Sequence, residues 1–110
     1  YYIYLKDEPI FSMAGIYETW LDKVTGEEHT TFSIITTDTN PLTDYIHNTK
    51  HRMPAILSPE NEEKWLNADL SKTDISSLLK PYDADLMDAY VIQNDFLKKV
   101  ATDESILQRA

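Results

Sequence analysis

His47, His51 and Arg52 fall within six residues of one another, with Lys50 beside them, in a chain whose formal net charge is −9. Imidazole is the side chain that exchanges a proton near neutral pH without help from its surroundings, so His47 is a candidate acid or base. Its structural alternative is a helix C-terminal residue favoured by the dipole. Arg52 carries a planar fork that matches a phosphate, and Lys50 and His51 complete a small basic patch; the competing reading is a solvated loop. Thr36 and Thr37 offer hydroxyls to a ligand at the end of an apolar run, or else cap the turn that follows.

Other groups are weaker candidates. His47 and His51 are four apart and His29 is remote, but the residues between the first two read as loop, and no Asp or Glu stands at a ligand spacing with them. The expectation is no metal and no cofactor. Glu18 lies in an otherwise apolar run, where half-burial would raise its pKa; an edge-facing, solvated carboxylate is the simpler reading. Trp20 and Trp65 read as core residues.

The elements that must position these groups centre on Phe32 to Leu57. An apolar strand over Thr30–Thr37 turns through Asp38 into a short helix with Asn40 as its cap and Pro41 at its first position. Leu42, Tyr45 and Ile46 form its apolar stripe, and it ends at Ile46-His47. The polar loop from Asn48 to Arg52 leads through Met53-Pro54 into a second strand over Ala55–Leu57. Upstream, Tyr1–Leu5 reads as a strand, Lys6–Pro9 as a turn, and Ile10–Trp20 as a long strand with Gly15 marking a bend. That long strand is apolar on both faces, so it is expected to be buried on both sides, as in a barrel wall. Asp22–Glu28, with Thr25-Gly26, is a hairpin loop. Downstream, Ser58-Pro59 opens a helix that carries Trp65 and Leu66 inward. Thr73-Asp74 opens another, with Ile75, Leu78 and Leu79 as its stripe, and Pro81 stops it. A returning strand over Leu86–Ile92 precedes a polar tail with a last turn at Ile106-Leu107. The order β-β-β-α-β-α-α-β predicts an α+β fold.

The 110 residues allow one domain or part of one; the first residue is Tyr1, already in a predicted strand, which points to a preceding portion of the same protein. With no cysteine, these residues hold no disulfide, thiolate metal site or Cys nucleophile. No apolar run approaches the roughly 18 residues of a membrane span, and no signal sequence is evident. The expectation is therefore a cytoplasmic protein without a membrane partner. An excess of 19 acidic over 10 basic residues argues against phosphate binding spread over the whole surface, while leaving room for a local basic cleft.

Several segments, taken in order, resemble the SOS response-associated peptidase (SRAP) family. Ile10–Glu18, "IFSMAGIYE", is similar to the family's "F-A-G-L-W/Y-E" strand, and "FSIITTDTN" to its "F-x-I-x-T" strand and turn. Ile46–Leu57, "IHNTKHRMPAIL", resembles the signature "I-H-x-R-M-P-x-I-L", with extra residues between His47 and Arg52. Pro59 with Trp65-Leu66 is similar to "P-x-x-x-x-x-W-L". "LKPYDADLMDAYVI" resembles "L-x-P" followed by "M-x-x-Y-P-V-S", from which it departs at Tyr90-Val91-Ile92-Gln93.

The resemblance implies a meandering, antiparallel, barrel-like sheet with short helices around it, in a protein of DNA repair. Family members act on abasic sites in single-stranded DNA. An N-terminal cysteine attacks the ring-opened aldehyde of the damaged sugar and forms a covalent cross-link, and the same cysteine is linked to autoproteolytic peptidase activity. Carried over to this chain, His47 is the proton-transferring catalytic group, Thr36 contacts the lesion and Arg52 contacts phosphate. The cysteine, an asparagine and the glutamate of "F-x-E-W" would precede Tyr1, so these residues alone are expected to be inert. The alternative of a different class is a non-catalytic, acidic protein-interaction domain.

Overall fold

Two apolar runs read as continuous strands are each broken in the middle, the third strand starts earlier than Ala55 and is broken there, and the breaks meet. The computed structural model describes residues 1–47, 49–100 and 102–110. The run expected over Ile10–Trp20 divides at Ala14 into β2 (Ser12–Met13) and β3 (Gly15–Leu21). The next divides at Ile35 into β4 (Glu28–Ile34) and β5 (Thr36–Asp38), and the third at Ala55 into β6 (Arg52–Pro54) and β7 (Ile56–Leu57). Each bent strand lends one half to each of the other two, as the antiparallel ladders β2–β7, β3–β4 and β5–β6.

At the centre the backbone closes a ring of hydrogen bonds. The amide of Ala14 donates to the carbonyl of Ala55 (2.8 Å), Ala55 to Ile35 (2.9 Å) and Ile35 to Ala14 (2.9 Å). Buried amides need partners, and here the three groups that leave their own ladders satisfy one another. Ala14 and Ala55 are both 0% exposed. With Leu57 they form a small cluster against which Ile35, Trp65 and Leu79 pack.

A fourth ladder pairs β1 (Tyr2–Leu5) with β8 (Met87–Tyr90), Leu5 opposite Met87. Its inner residues Leu5 and Met87 join Met53 and Ile56 in a second cluster, with Ile3, Phe11, Leu42 and Tyr82 around it. The outer face stacks Tyr2, Tyr4 and Tyr90, and Arg109 of the tail lies 4.8 Å from the Tyr90 ring. The helices are α1 (Pro41–Ile46), α2 (Pro59–Trp65) and α3 (Lys72–Leu78). Asn40 caps α1, and Ser71 and Asp74 form the capping box of α3. Single 3₁₀ turns follow at Ala84–Leu86, Phe96–Lys98 and Glu104–Leu107, the last where the tail's turn is expected.

The α+β expectation holds, but the strands form four two-stranded ladders and, among the described residues, no closed barrel. The strand expected to be buried on both sides is the opposite beyond Ala14. Tyr17 is 79% exposed and its cross-strand neighbour Phe32 78%. Among the described residues the β3–β4 hairpin pairs only with itself, and the side chains of β3 beyond Gly15 stay exposed. For the same reason Trp20 is an exposed residue tilted against the His29 ring (5.0 Å between centroids) instead of a core residue. Trp65 is half-buried as expected and its indole donates to the Gly15 carbonyl (3.2 Å). Leu66, expected inward, is 82% exposed: it keeps helical backbone geometry at the cap of α2, and its side chain stands about 100° around the helix axis from Trp65.

The ring makes a direct prediction. Leucine in place of Ala55 overpacks a fully buried site, and chemical denaturation should register a loss of about 1–3 kcal/mol. A second prediction concerns acid. The Ser71 hydroxyl holds the Asp74 carboxyl below its ordinary pKa, the Val24 amide does so for Asp22, and the Ser105 hydroxyl for Asp103. Each carboxylate therefore adds stability that is complete above its unfolded value near about pH 4 and lost as pH falls through the lower folded value. Thermal unfolding should shift downward on acidification through that window, and Asp74→Asn should flatten the response.

Candidate functional site

The register of β5 and β6 decides what this region presents. Thr36 lies opposite Pro54, Thr37 opposite Met53 and Asp38 opposite Arg52. Successive strand residues point to opposite faces. Met53 is buried in the core and the Thr37 hydroxyl donates to the Leu79 carbonyl (2.9 Å), so that face is the inner one. Thr36 and Arg52 therefore share the outer face as diagonal neighbours, and both are exposed. Arg52 stands across from Asp38, yet among the described residues no ion pair joins them, so its fork is open to solvent. Of the two threonines considered for a ligand, Thr37 is committed to the fold and Thr36 is not.

His47 reaches the surface through α1. The cap of that helix is buried: the Asn40 side chain accepts from the Thr43 amide (2.9 Å) while its Nδ2 donates to the Tyr82 carbonyl (2.7 Å). The Thr43 hydroxyl donates to Asn40 Oδ1 (2.9 Å) and lies 3.5 Å from the sulfur of Met53. The start of α1 is thereby tied to both β6 and the segment before β8. Six residues later the helix ends at His47, whose amide donates to the Thr43 carbonyl (2.8 Å) and whose side chain is exposed. Among the described residues no hydrogen bond engages the His47 ring.

His51 differs. It adopts a positive φ of 47°, and its Nδ1 meets the Asp44 carboxylate on α1. This contact crosses the base of the expected Asn48–Arg52 loop, of which Asn48 lies outside the described residues. Lys50 is exposed. His29 sits on β4 beside Glu27, and among the described residues no three His, Asp or Glu side chains gather around a point where a metal ion could bind. Glu18 is exposed on β3, opposite Thr31. The sequence identifies Asn40 as the cap but not its burial, and gives Asp44 no role. An Asn followed at the third helical position by Thr, whose hydroxyl can bond back to the cap, was the available signal for the first.

The α+β fold thus carries an exposed histidine at a helix end and an exposed threonine and arginine on one ladder face, and comparison with known proteins gives the family of the chain. The chain belongs to the family described as "SOS response associated peptidase (SRAP)", whose profile matches residues 1–99. It is 45% identical over 93 residues to the abasic site processing protein YoqW of Bacillus subtilis (strain 168), covering 84% of this chain and 40% of YoqW. Over 74 residues it is 38% identical to the abasic site processing protein HMCES of Gallus gallus, covering 66% of this chain and 21% of that one. An X-ray structure of a protein from Bacteroides thetaiotaomicron is 76% identical, with a TM-score of 0.96 over 99% of this chain and 47% of that chain. The chain thus spans less than half the length of these relatives. Among the described residues no helix is long and apolar enough to cross a membrane.

The cap network carries a prediction of its own. Asn40→Ala removes the cap acceptor and leaves the Tyr82 carbonyl unpaired, so denaturation should show a loss of about 1–3 kcal/mol. His51→Ala, which breaks an exposed pair, should cost less than about 1 kcal/mol.

Proposed function

We propose that these residues are part of a protein that recognises abasic sites in single-stranded DNA and captures them covalently through an N-terminal cysteine lying outside residues 1–110. The observation that carries the reading is membership of a family whose similar members are named abasic site processing proteins. The geometry supports it in three ways: among the described residues no hydrogen bond engages the His47 ring and no ion pair engages Arg52, and Thr36 shares the exposed face of Arg52.

In this reading the DNA strand runs along the outer face of β5–β6. Arg52 takes a backbone phosphate in its fork and Thr36 donates a hydrogen bond to the opened sugar. An abasic sugar reacts as its ring-opened aldehyde. Addition of the cysteine amine and thiol to that carbon, with loss of one water, gives a thiazolidine. Ring opening and loss of water each require a proton to be removed at one atom and delivered at another, which is the work of an imidazole near neutral pH, and His47 performs it. The surplus of acid elsewhere is compatible with a few contacts to one strand. Any autoproteolytic peptidase step would use the same cysteine.

The test uses the complete reading frame that contains these residues, incubated with single-stranded DNA bearing one abasic site. A denaturant-resistant adduct is expected, formed more slowly by His47→Ala. Arg52→Ala should weaken non-covalent binding and lower the slope of log affinity on log salt by about 0.7, the single-strand value for one phosphate contact. No adduct, together with binding to basic proteins that ignores His47 and Arg52, would replace this reading with that of an acidic interaction domain.

A further inference from the structure

The contact between His51 and Asp44 joins the two elements that carry the site. Asp44 stands on α1 three residues before His47, about one turn away on the same side of the helix. His51 immediately precedes Arg52, the first residue of β6. Its Nδ1 meets the Asp44 carboxylate, with the two side chains 66% and 47% exposed. On the buried side the same two elements touch where the Thr43 hydroxyl lies against the Met53 sulfur. Arg52 therefore has buried Met53 after it and, before it, a residue held by the Asp44 contact.

Two features argue that this contact serves the site more than the fold. An ion pair this exposed adds little to stability. Yet His51 takes a φ of 47°, and among the described residues it is the one non-glycine residue in the left-handed region. That conformation is unfavourable for a residue with a Cβ and persists where the surroundings fix it, typically at functional sites. The competing reading places Asp44 at the start of α1 for the helix dipole. That accounts for the carboxylate and leaves the His51 conformation unexplained.

We propose that His51 and Asp44 form a latch that presents the Arg52 fork in a fixed relation to His47, so that a phosphate held by Arg52 brings the adjacent sugar to the His47 ring. The inference deepens the function proposed above and rests on it. His51 is a positioning residue: it acts through Arg52, and its ring, turned to Asp44, makes no contact with DNA. A flexible arginine must be immobilised when it binds, and the latch removes part of that ordering before DNA arrives.

The test measures binding of the complete protein to single-stranded DNA carrying a stable abasic analogue over a range of salt, together with backbone-amide NMR relaxation of the DNA-free protein. Asp44→Ala removes a negative charge beside the proposed DNA path, so electrostatics alone predicts tighter binding. The latch predicts binding weaker by about three- to tenfold, the effect of ordering one long side chain. His51→Gly, whose backbone is at ease in the left-handed region, should weaken binding to the same extent. The double variant should bind no more weakly than either single one, because both remove one interaction. In each, the slope of log affinity on log salt stays at the wild-type value, since Arg52 still makes its phosphate contact. Tighter binding by Asp44→Ala would overturn the proposal. So would a slope lowered by His51→Gly, which would make His51 itself a phosphate contact. In the relaxation data, the Arg52 amide of Asp44→Ala should gain motion while that of Met53 stays rigid. An unchanged Arg52 amide defeats the latch while DNA capture stands; a wild-type protein that binds no DNA defeats the function proposed above and the latch with it.

Discussion

Three backbone hydrogen bonds, among Ala14, Ile35 and Ala55, hold the structure together topologically. Each comes from a residue that has left one ladder and not yet entered the next, and each strand on either side is too short or too exposed to stand alone. β2 and β7 have two residues each and β5 and β6 three. Ladders of that length do not persist in water without support. The ring converts three marginal ladders into one object, and the full burial of its two alanines shows how little space the crossing leaves. One hydrophobic cluster lies under β1–β8; the other, against α2 and the end of α3, includes Ala14 and Ala55 of the ring.

The site inherits its rigidity from that arrangement. Met53, two residues from the ring, is buried, which fixes the register of β6 and so turns Arg52 outward beside Thr36. Asn40 and Thr43 bind α1 to the same core through the Met53 and Met87 sulfurs and the Tyr82 carbonyl, which sets where the helix ends and hence where His47 emerges. Thr36, Arg52 and His47 are thus exposed residues whose backbones are controlled by buried neighbours. This is the pattern expected of groups that must be both accessible and held in position.

Much of this was legible in the sequence, and the failures have physical causes. Asn40-Pro41 and Ser58-Pro59 announced their helices through cap chemistry that acts within one turn. The face shared by Thr36 and Arg52 was not legible, because register depends on a partner far along the chain. Gly15 did mark the bend beside Ala14, and the strand read from Ala55 onward starts at the third break, but the break at Ile35 left no local mark: it is imposed by hydrogen bonds between residues far apart in the chain. The apolar character of both faces of β3 was read as burial within these residues. Alternation records that a face prefers cover and says nothing about which part of a protein supplies it. Leu66 failed because adjacent helix residues point about 100° apart, so it does not share the face of Trp65.

In the function proposed here, Thr36, Arg52 and His47 front one surface that meets DNA. A backbone-amide NMR titration tests this on the complete protein, with the proposed N-terminal cysteine replaced by serine, against single-stranded DNA carrying a stable abasic analogue. Shifts are expected on the outer face of β5–β6 and the C-terminal end of α1, with the tyrosine face of β1–β8 silent. Shifts centred on Tyr2, Tyr4 and Tyr90, with Thr36, Arg52 and His47 unmoved, would contradict it.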